Sequence, residues 1–432
     1  MSDFDLIIRG AQPHPFIAIA GGKFAVVADE GSGTAREEID ASGLEILPGV
    51  IDAHVHFNEP GRAGWEGLET GSRACAAGGT TTFFDMPLNA HPPTVNAAAF
   101  DEKLALSAAK SAVDFALWGG LVPGNLDDLE PLRDKGVTGF KAFMSNSGIE
   151  DFSSVDFTTL HAGMQRAATL GLPVAVHAEV DHPELKHGST IRDYLNSRPI
   201  AIELEAIRAA LEIAGETGCA LHVVHVSSAA GVALVSEARR KGVDVTCETC
   251  PHYFTLTDED VERIGALAKC APPIRSAAER DALLAKVRAG EVDTIGSDHS
   301  PSPMSMKQDA DFYKVWGGIA GCQHLLALAL NAGLSIAECA AMLSENVARR
   351  FSIGAQKGRI SPGLDADCVL VNRHESTLVE PDALFYRHRV TPYAGMHLRG
   401  RMERTILRGA TVAIGGRVVA EPGKGRLIKP TL

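Results

Sequence analysis

The sequence predicts an α/β protein: a (β/α)₈ barrel of the TIM type, with a small β-sandwich-like domain built from both termini. Three observations predict this fold. The middle of the chain alternates apolar β segments with helical patterns, eight strand candidates can be counted there, and both ends contain short strands separated by glycine turns. A chain of 432 residues suits a barrel of typical size together with a smaller module.

Both termini carry the pattern of short strands. Residues 1–49 contain the runs DLIIRGA, FIAIAGGKFAVVA and EIDASGLEILPG, with glycines at the turns. Residues 358–432 have the same character in GRISPGLDADCVLV and TILRGATVAIGGRVVA. We therefore expect residues 1–49 and 358–432 to form one small β domain, with two unrelated edge hairpins as the alternative.

Residues 50–357 are expected to form the barrel. Its eight strand candidates are PGVIDAHVH, TTTFFDM, AVDFALW, GFKAFM, PVAVHAE, ALHVVHV, VDVTCET and VDTIGSD. Helical patterns such as VNAAAFDEKLALSAAK, AIELEAIRAALEIAGETG and AAERDALLAKVRAG lie between them. The alternative is an open doubly wound sheet, which usually has fewer strands and often carries a glycine-rich phosphate turn; neither GxGxxG nor GxxxxGK[ST] occurs.

Charge and composition narrow the class of function. The net charge of −13, without a long basic run, disfavours nucleic acid and anionic membrane surfaces as partners. The sequence shows no N-terminal secretory signal and no apolar stretch of about 18 residues. The eight cysteines are therefore interpreted as reduced thiols, and we expect a cytoplasmic protein that acts on a small molecule.

Polar residues cluster at or near the C-terminal ends of the predicted strands, where barrel enzymes place their active sites. They are His54 and His56 on the first strand, Lys141 on the fourth, His177 on the fifth, His225 on the sixth and Asp298 on the eighth. Residues i and i+2 of a strand share a face, so His54 and His56 can reach one metal ion. A packed core pair is the alternative, which the clustering makes less favourable. Asp52 could orient one of these rings.

Lys141 stands between apolar neighbours in a strand that should be buried. Burial disfavours the charged amine and lowers its pKa. A neutral amine can react with carbon dioxide to give a carbamate, an anionic ligand able to bridge two metal ions. The alternative is an ordinary lysine paired with a carboxylate.

The sixth strand contains two histidines, His222 and His225. Residues three apart on a strand point to opposite faces, so we expect His225 in the barrel and His222 packed outside it. Asp298 could bind a metal ion with one oxygen and accept a proton from water with the other.

Four imidazoles, a carbamate and a carboxylate suit two divalent cations, with Zn²⁺, Co²⁺, Mn²⁺ and Fe²⁺ as candidates. Such a pair would polarise a carbonyl group and activate water for hydrolysis. No GxSxG nucleophile motif competes with this interpretation. Cys247 and Cys250 form a CxxC motif, but a zinc ribbon needs a second pair, so these thiols are interpreted as structural.

Together these segments resemble the cyclic amidohydrolases, the family of dihydroorotase, dihydropyrimidinase (hydantoinase) and allantoinase. The resemblance covers nearly the whole chain and includes the GLDAD phrase at residues 363–367. It implies a first metal on His54, His56 and Asp298, and a second on His177 and His225. It also implies that carboxylated Lys141 bridges them, that Asp298 is the proton shuttle, and that the assembly is a homotetramer.

Within this family the details are most similar to the allantoinase branch. The similar segments are FNEPGR (57–62), DMPLN (85–89), WGGLVPGN (118–125), FMSNSG (143–148), CETCPHY (247–253) and WGGIAG (316–321). Dihydroorotases carry an arginine where this chain has Asn58, and hydantoinases carry a tyrosine where it has Asn146. The resemblance implies that the ring substituent meets the side chains of Asn58, Ser145 and Asn146, and that backbone groups near Ala271 and Gly317 hold the ring imide.

The expected reaction is therefore opening of the hydantoin ring of allantoin to allantoate, a step of purine catabolism. Hydantoinase (dihydropyrimidinase) or dihydroorotase activity is the alternative, and a non-catalytic dihydropyrimidinase-like scaffold is a remote one. Arg62 is a nearby cation that could contact substrate or form a salt bridge with Glu59 or Glu66.

Overall fold

The N-terminal residues form short strands that bury apolar side chains. In the computed structural model, which describes residues 2–432, these strands are β1 (Phe4–Arg9), β2 (Phe16–Ala20), β3 (Lys23–Ala28), β4 (Ala35–Asp40) and β5 (Glu45–Pro48). The first four make a sheet in the order β3-β2-β1-β4, while β5 joins strands from the C-terminus.

The barrel strands follow the predicted order. They are β6 (Val50–Val55), β7 (Thr80–Asp85), β8 (Asp114–Leu117), β9 (Gly119–Gly120), β10 (Phe140–Phe143), β11 (Val174–His177), β12 (Leu221–Val223), β13 (Val245–Thr249) and β14 (Thr294–Ile295). Each predicted strand contains one of these elements, except that β9 directly follows the third predicted strand. Strand pairing is parallel throughout. The barrel closes where the amide of His56 donates to the carbonyl of His299 at 2.8 Å.

The C-terminal strands complete the small β unit. They are β15 (Cys368–Leu378), β16 (His397–Leu407), β17 (Ala410–Ile414) and β18 (Arg417–Val418), and they form a sheet in the order β18-β17-β16-β15-β5. One apolar cluster draws on both sheets, with Ile8 and Ile17 from the first and Leu370 and Ile406 from the second. The two ends therefore pack together, as predicted, and the two-hairpin alternative is wrong. The predicted boundaries at residues 49/50 and 357/358 stay a prediction.

The helices lie between the barrel strands and after them. They are α1 (Leu68–Ala77), α2 (Ala97–Lys110), α3 (Leu129–Lys135), α4 (Phe157–Leu170), α5 (Ile191–Asn196), α6 (Ile200–Thr217), α7 (Ala229–Arg240), α8 (Pro251–Thr255), α9 (Asp258–Ile264), α10 (Ala277–Arg288), α11 (Leu325–Asn331), α12 (Ile336–Ala340) and α13 (Asn346–Arg350). Polar caps mark several starts; for example, the Asn96 side chain accepts from the amide of Ala99. Within residues 2–432, no helix is both long enough and apolar enough to cross a membrane.

Strand register determines which side chains enter the barrel. In a parallel sheet, paired residues point to the same face. Lys141 pairs with Ala175, Ala175 with His222, and His222 with Thr246, so these four side chains share one face. Their neighbours Val176 and Cys247 face the helices and belong to the large apolar core. The barrel interior therefore contains a polar layer directly below the ends of the strands.

Candidate metal centre

The structure brings three of the predicted ligands together at one point. Nε2 of His54 lies 3.3 Å from Oδ1 of Asp298, and Nε2 of His56 lies 3.4 Å from the same oxygen. Potential ligand atoms of these residues all lie within 4.8 Å of one another. Both histidines are buried, and burial lowers the pKa of His56, which favours the neutral imidazole that a metal ion requires.

The other two predicted histidine ligands form a second group. Nδ1 of His177 lies 3.0 Å from Nε2 of His225, so the two rings present nitrogen atoms to the same place. Burial lowers the pKa of both rings, and that of His225 well below its ordinary value. The rings of His54 and His225 are 5.5 Å apart between centroids, so the second group adjoins the first.

Lys141 lies fully buried next to these rings. Its Nζ has no hydrogen-bond partner among residues 2–432, so the ordinary lysine–carboxylate pair considered from the sequence is not observed. Burial lowers the pKa of Lys141 to about 7, so a large fraction of the amine is neutral near neutral pH. A buried, neutral and unpaired amine has the properties that reaction with carbon dioxide requires.

The backbone adopts a left-handed conformation at this end of the barrel. His225 has a φ of 41° and Asp298 a φ of 46°, while Asn58 and Asn89 have φ of 66° and 65°. Residues other than glycine rarely adopt a positive φ, and histidine, aspartate and asparagine are among those that tolerate it. Such strained residues cluster at functional sites, where the surrounding structure holds them in place.

Two buried carboxylates orient one histidine in each group, and the sequence interpretation did not identify either. Oε1 of Glu248 lies 2.7 Å from Nδ1 of His54, and Oε2 of Glu179 lies 3.2 Å from Nε2 of His177. Burial opposes ionisation of Glu179, but Arg198 and His177 outweigh it and lower its pKa to about 2. Each carboxylate therefore holds the far nitrogen of its imidazole and directs the other nitrogen into the site.

The structure corrects the predicted role of Asp52. Its Oδ1 accepts from the amides of Ser297 at 3.0 Å and His54 at 3.3 Å. Asp52 therefore binds two main-chain groups at the barrel seam, and Glu248 orients the His54 ring instead. Glu248 could have been suspected from the sequence because it lies on a predicted strand close to its C-terminal end.

The prediction that His222 packs outside the barrel is wrong. Its Nδ1 lies 2.8 Å from Oγ1 of Thr246, and its Nε2 lies 3.8 Å from Oε2 of Glu248, inside the barrel. Strand alternation ends at Val223, and the positive φ of His225 turns its side chain inward as well. Both histidines therefore face the interior, with His222 one layer below the site.

The predicted substrate contacts lie in different environments. Asn58 and Ser145 are buried, and the side-chain amide of Asn58 and the Ser145 hydroxyl have no hydrogen-bond partner among residues 2–432. Asn146 is exposed, and its Oδ1 accepts from the amide of Gly148 within its own loop. Ala271 and Gly317 are partly buried. Asn58 and Ser145 therefore need an external partner more than Asn146 does.

Arg62 forms neither of the salt bridges considered from the sequence. It donates to the carbonyl oxygens of Asn89 and Ala90, and its guanidinium lies 3.5 Å from Asp151. Asn89 also places its Nδ2 3.4 Å from Nδ1 of His56, a contact that the sequence interpretation missed.

The donor set fits a pair of divalent cations. Imidazole nitrogen and carboxylate oxygen are ligands for Zn²⁺ and its neighbours in the first transition row. One group contains two imidazoles and a carboxylate, and the other contains two imidazoles. The Nζ of Lys141 has no partner, and a carboxyl group added there would supply an anionic ligand for the two cations.

The chain is similar to known proteins along its whole length. The sequence model of the amidohydrolase family matches residues 46–412. The chain is 53% identical to an allantoinase of Rubrobacter xylanophilus over 100% of this chain and 98% of that one, and 47% identical to an allantoinase of Deinococcus radiodurans over 99% of each. Its structure is similar to that of an L-hydantoinase (dihydropyrimidinase) from Arthrobacter aurescens, with a TM-score of 0.96, 34% identity, and coverage of 99% of this chain and 100% of that one.

Proposed function

The chain belongs to the amidohydrolase family, and on that premise we propose that it hydrolyses the ring amide of allantoin to give allantoate. The observation that carries the proposal is the convergence of His54, His56 and Asp298 with His177 and His225 around the unpaired Lys141. Relatives named allantoinase, at 53% and 47% identity over essentially the whole chain, support the choice of substrate.

His54, His56 and Asp298 would hold a first divalent cation, and His177 and His225 a second. Lys141, carboxylated on Nζ by carbon dioxide, would be a ligand of both. Zn²⁺ is the proposed metal because imidazole-rich sites suit it, with Co²⁺, Mn²⁺ and Fe²⁺ as alternatives. When bound, such a pair supplies polarisation of the amide carbonyl and a lower pKa for the attacking water.

Asp298 would transfer the proton. One carboxylate oxygen, Oδ1, faces His54 and His56, which leaves the other oxygen able to accept a proton from the attacking water. The water oxygen then bonds to the ring carbonyl carbon, the ring carbon–nitrogen bond breaks, and Asp298 returns the proton to the leaving nitrogen. The products are a free carboxylate and an opened ureide.

Asn58 and Ser145 would recognise the ureido substituent. Both are buried with unpaired polar atoms, and leaving a buried polar group unpaired costs roughly 1–3 kcal/mol. Allantoin carries amide donors and acceptors on its ureido arm that can pair with both. Backbone groups at Ala271 and Gly317 would hold the ring imide, and Asn146 would contribute from the exposed edge of the pocket.

Hydantoinase (dihydropyrimidinase) activity is the second candidate, favoured by the TM-score of 0.96 with the Arthrobacter aurescens enzyme. Hydantoin and dihydrouracil have no polar substituent, so they would leave Asn58 unpaired. Dihydroorotate carries a carboxylate that would need a cation where Asn58 stands.

An assay of the metal-loaded protein on allantoin, hydantoin, dihydrouracil and dihydroorotate tests the proposal. We expect kcat/KM to be highest for allantoin, by about 5- to 150-fold over substrates that leave one buried polar group unpaired. Asn58→Ala should narrow the ratio between allantoin and hydantoin. If dihydrouracil or dihydroorotate is the best substrate, the allantoinase assignment is wrong. No hydrolysis of any of them, or a purified protein that binds no metal, would favour the scaffold.

Assembly and location complete the proposal. We propose a homotetramer, in line with the family resemblance, which light scattering of the purified protein would test. The eight cysteines are free and buried, which suits a reducing compartment such as the cytoplasm.

A further inference from the structure

Two buried lysines outside the metal centre bind the carbonyl oxygens of one loop. Nζ of Lys269 donates at 2.6, 3.1 and 2.5 Å to the carbonyls of Phe312, Tyr313 and Val315. Nζ of Lys307 donates at 2.9 and 2.8 Å to the carbonyls of Trp316 and Gly318. Five of the seven carbonyl oxygens in residues 312–318 therefore face two ammonium groups.

These contacts tie the conformation of the loop to the burial of two charges. Lys269 and Lys307 are only 5% and 7% exposed, and an ammonium removed from water is costly unless it keeps acceptors. Burial lowers the pKa of Lys269 to about 7 and that of Lys307 to about 8. The three carbonyl acceptors around Lys269 match the three N–H donors of an ammonium, so this geometry favours the charged form. Each change of the loop backbone would leave an ammonium without its acceptors, so the loop is held in one conformation.

The same loop leads directly to the strand end that carries Asp298. The amide of Gly318 donates to the carbonyl of Lys269 at 2.7 Å, and the amide of Ser300 donates to the carbonyl of Ile319 at 2.9 Å. Gly318 has a φ of 136°, and a Cβ there would lie 2.0 Å from the carbonyl oxygen of Ser300. The loop therefore packs against the segment after Asp298 so closely that only glycine fits at position 318.

The loop also contacts a second wall of the barrel mouth. The ring of Trp316 packs edge-on against Trp65, with 4.9 Å between centroids, and a Cβ on Gly148 would lie 3.7 Å from it. Gly317, which we assign to the ring imide, follows Trp316 directly. Any displacement of this segment would move the imide contact with it.

We propose that Lys269 and Lys307 are positioning residues that fix the backbone of residues 316–318 against the ring of the substrate. The part of this proposal that concerns the ring rests on the proposed function. Neither lysine is a metal ligand, and neither is assigned to the ureido substituent. Loss of either should therefore weaken binding of every cyclic ureide to a similar extent and leave the metal content unchanged.

The experiment compares Lys269→Met and Lys307→Met with Lys314→Met in the metal-loaded protein. Lys314 is a matched control because it lies in the same loop, yet its side chain is 69% exposed and its partner is Asp311 at 3.8 Å. Hydrogen exchange of peptides covering residues 311–320 reports the order of the loop. Metal content shows whether the metal centre is intact, and steady-state kinetics on allantoin and hydantoin measure KM and kcat.

We expect faster exchange in residues 311–320 for both buried variants and no change for the control. KM should rise by about 10- to 100-fold for allantoin and for hydantoin alike, with kcat changed far less. Lys307→Arg, which keeps the charge, should recover part of the loss. If Lys269→Met does not fold, Lys307→Met decides the proposal.

Exchange and KM values like those of Lys314→Met in a folded buried variant would overturn the proposal, as would loss of metal. Faster exchange in a protein that hydrolyses neither ureide would instead leave the positioning of the loop in place and contradict the proposed function.

Discussion

At the scale of the residue, we propose that Lys141 connects the two donor groups. Its amine is buried and has no hydrogen-bond partner among residues 2–432. We expect Lys141→Ala to lose metal and activity together, because neither group then has the bridging anion. Metal analysis and a carbamate signal after growth in ¹³C-bicarbonate would measure this. Lys103, equally buried but 2.7 Å from Asp85, should give no such signal. A variant that keeps metal and activity without dependence on bicarbonate would contradict the bridge.

Asp298 combines two expected roles, ligand and proton carrier. General acid–base contributions are typically about 10²–10⁴-fold, so kcat of Asp298→Asn should fall at least that far. Metal content measured on the same sample separates loss of the ligand from loss of the proton path. Near wild-type turnover would contradict this role for Asp298 and make His252 the next candidate proton carrier. Both ring nitrogens of His252 lack a partner among residues 2–432. His299 is less suitable because its Nδ1 accepts from the amide of Gly321 at 3.1 Å.

At the scale of the element, the C-terminal segment returns to the barrel after the β unit. The amide of Phe115 in β8 donates to the carbonyl of Arg426 at 3.0 Å, and the amide of Ile428 donates to the carbonyl of Phe115 at 2.7 Å. Ile428 is 1% exposed and packs with apolar side chains of the barrel strands. Residues 426–428 thus extend the pairing of β8 near its first residues, away from the end that carries the site.

We expect Ile428→Ala to lower the free energy of unfolding by about 2–5 kcal/mol, the usual range for an isoleucine truncated in a core. Thermal or urea denaturation would measure it, and kcat and metal content should stay unchanged. Leu432→Ala is the matched control, because Leu432 is 65% exposed. Equal stability of the two variants would show that the segment contributes little.

At the scale of the whole molecule, one lysine joins the barrel to the β unit. Nζ of Lys357 lies 2.8 Å from Asp114 in β8, 3.2 Å from Asp365 and 2.5 Å from Asp367, just before β15. The three carboxylates lie close enough together to resemble a metal site, but this ammonium already occupies their centre. The cluster lies where β8 of the barrel meets the segment before β15 of the β unit.

Lys357→Met should lower the free energy of unfolding by about 3–5 kcal/mol, since it leaves the buried Asp367 without a cation. Asp114 and Asp365 still pair with Arg408 and Arg426. Denaturation curves would measure it, and adding Asp367→Asn should recover part of the loss. Lys23→Met is the control: Lys23 also binds Asp365, at 3.2 Å, but its side chain is 52% exposed, so its loss should cost less than about 1 kcal/mol. Similar costs for Lys357→Met and Lys23→Met would contradict a structural role for the cluster.

The residues that we propose as ligands could be singled out from the sequence because they lie at or near strand ends. Each of the six predicted ligands lies at or near the end of a predicted strand, and in a parallel barrel all such ends meet at one rim. The same logic failed at His222, because it assumed that the strand continues to His225. The alternation of polar and apolar positions does not reveal that the strand ends at Val223 or that His225 has a positive φ.

The sequence by itself determined the strand order and the joining of the two termini, and it singled out the residues that we propose as ligands. These predictions depend on the hydrophobic periodicity, the number of strand segments and the residue types at their ends, all of which can be read from local sequence. Only the tertiary structure decided that Glu248 and Glu179 hold the histidines, and that Lys269 and Lys307 hold the loop of residues 312–318. Glu248 lies 194 residues from His54 and Lys269 lies 43 residues from Phe312, whereas Glu179 is only two residues from His177 and its orienting contact still depends on the fold. Burial, which makes each of these contacts energetically important, exists only once the barrel has closed.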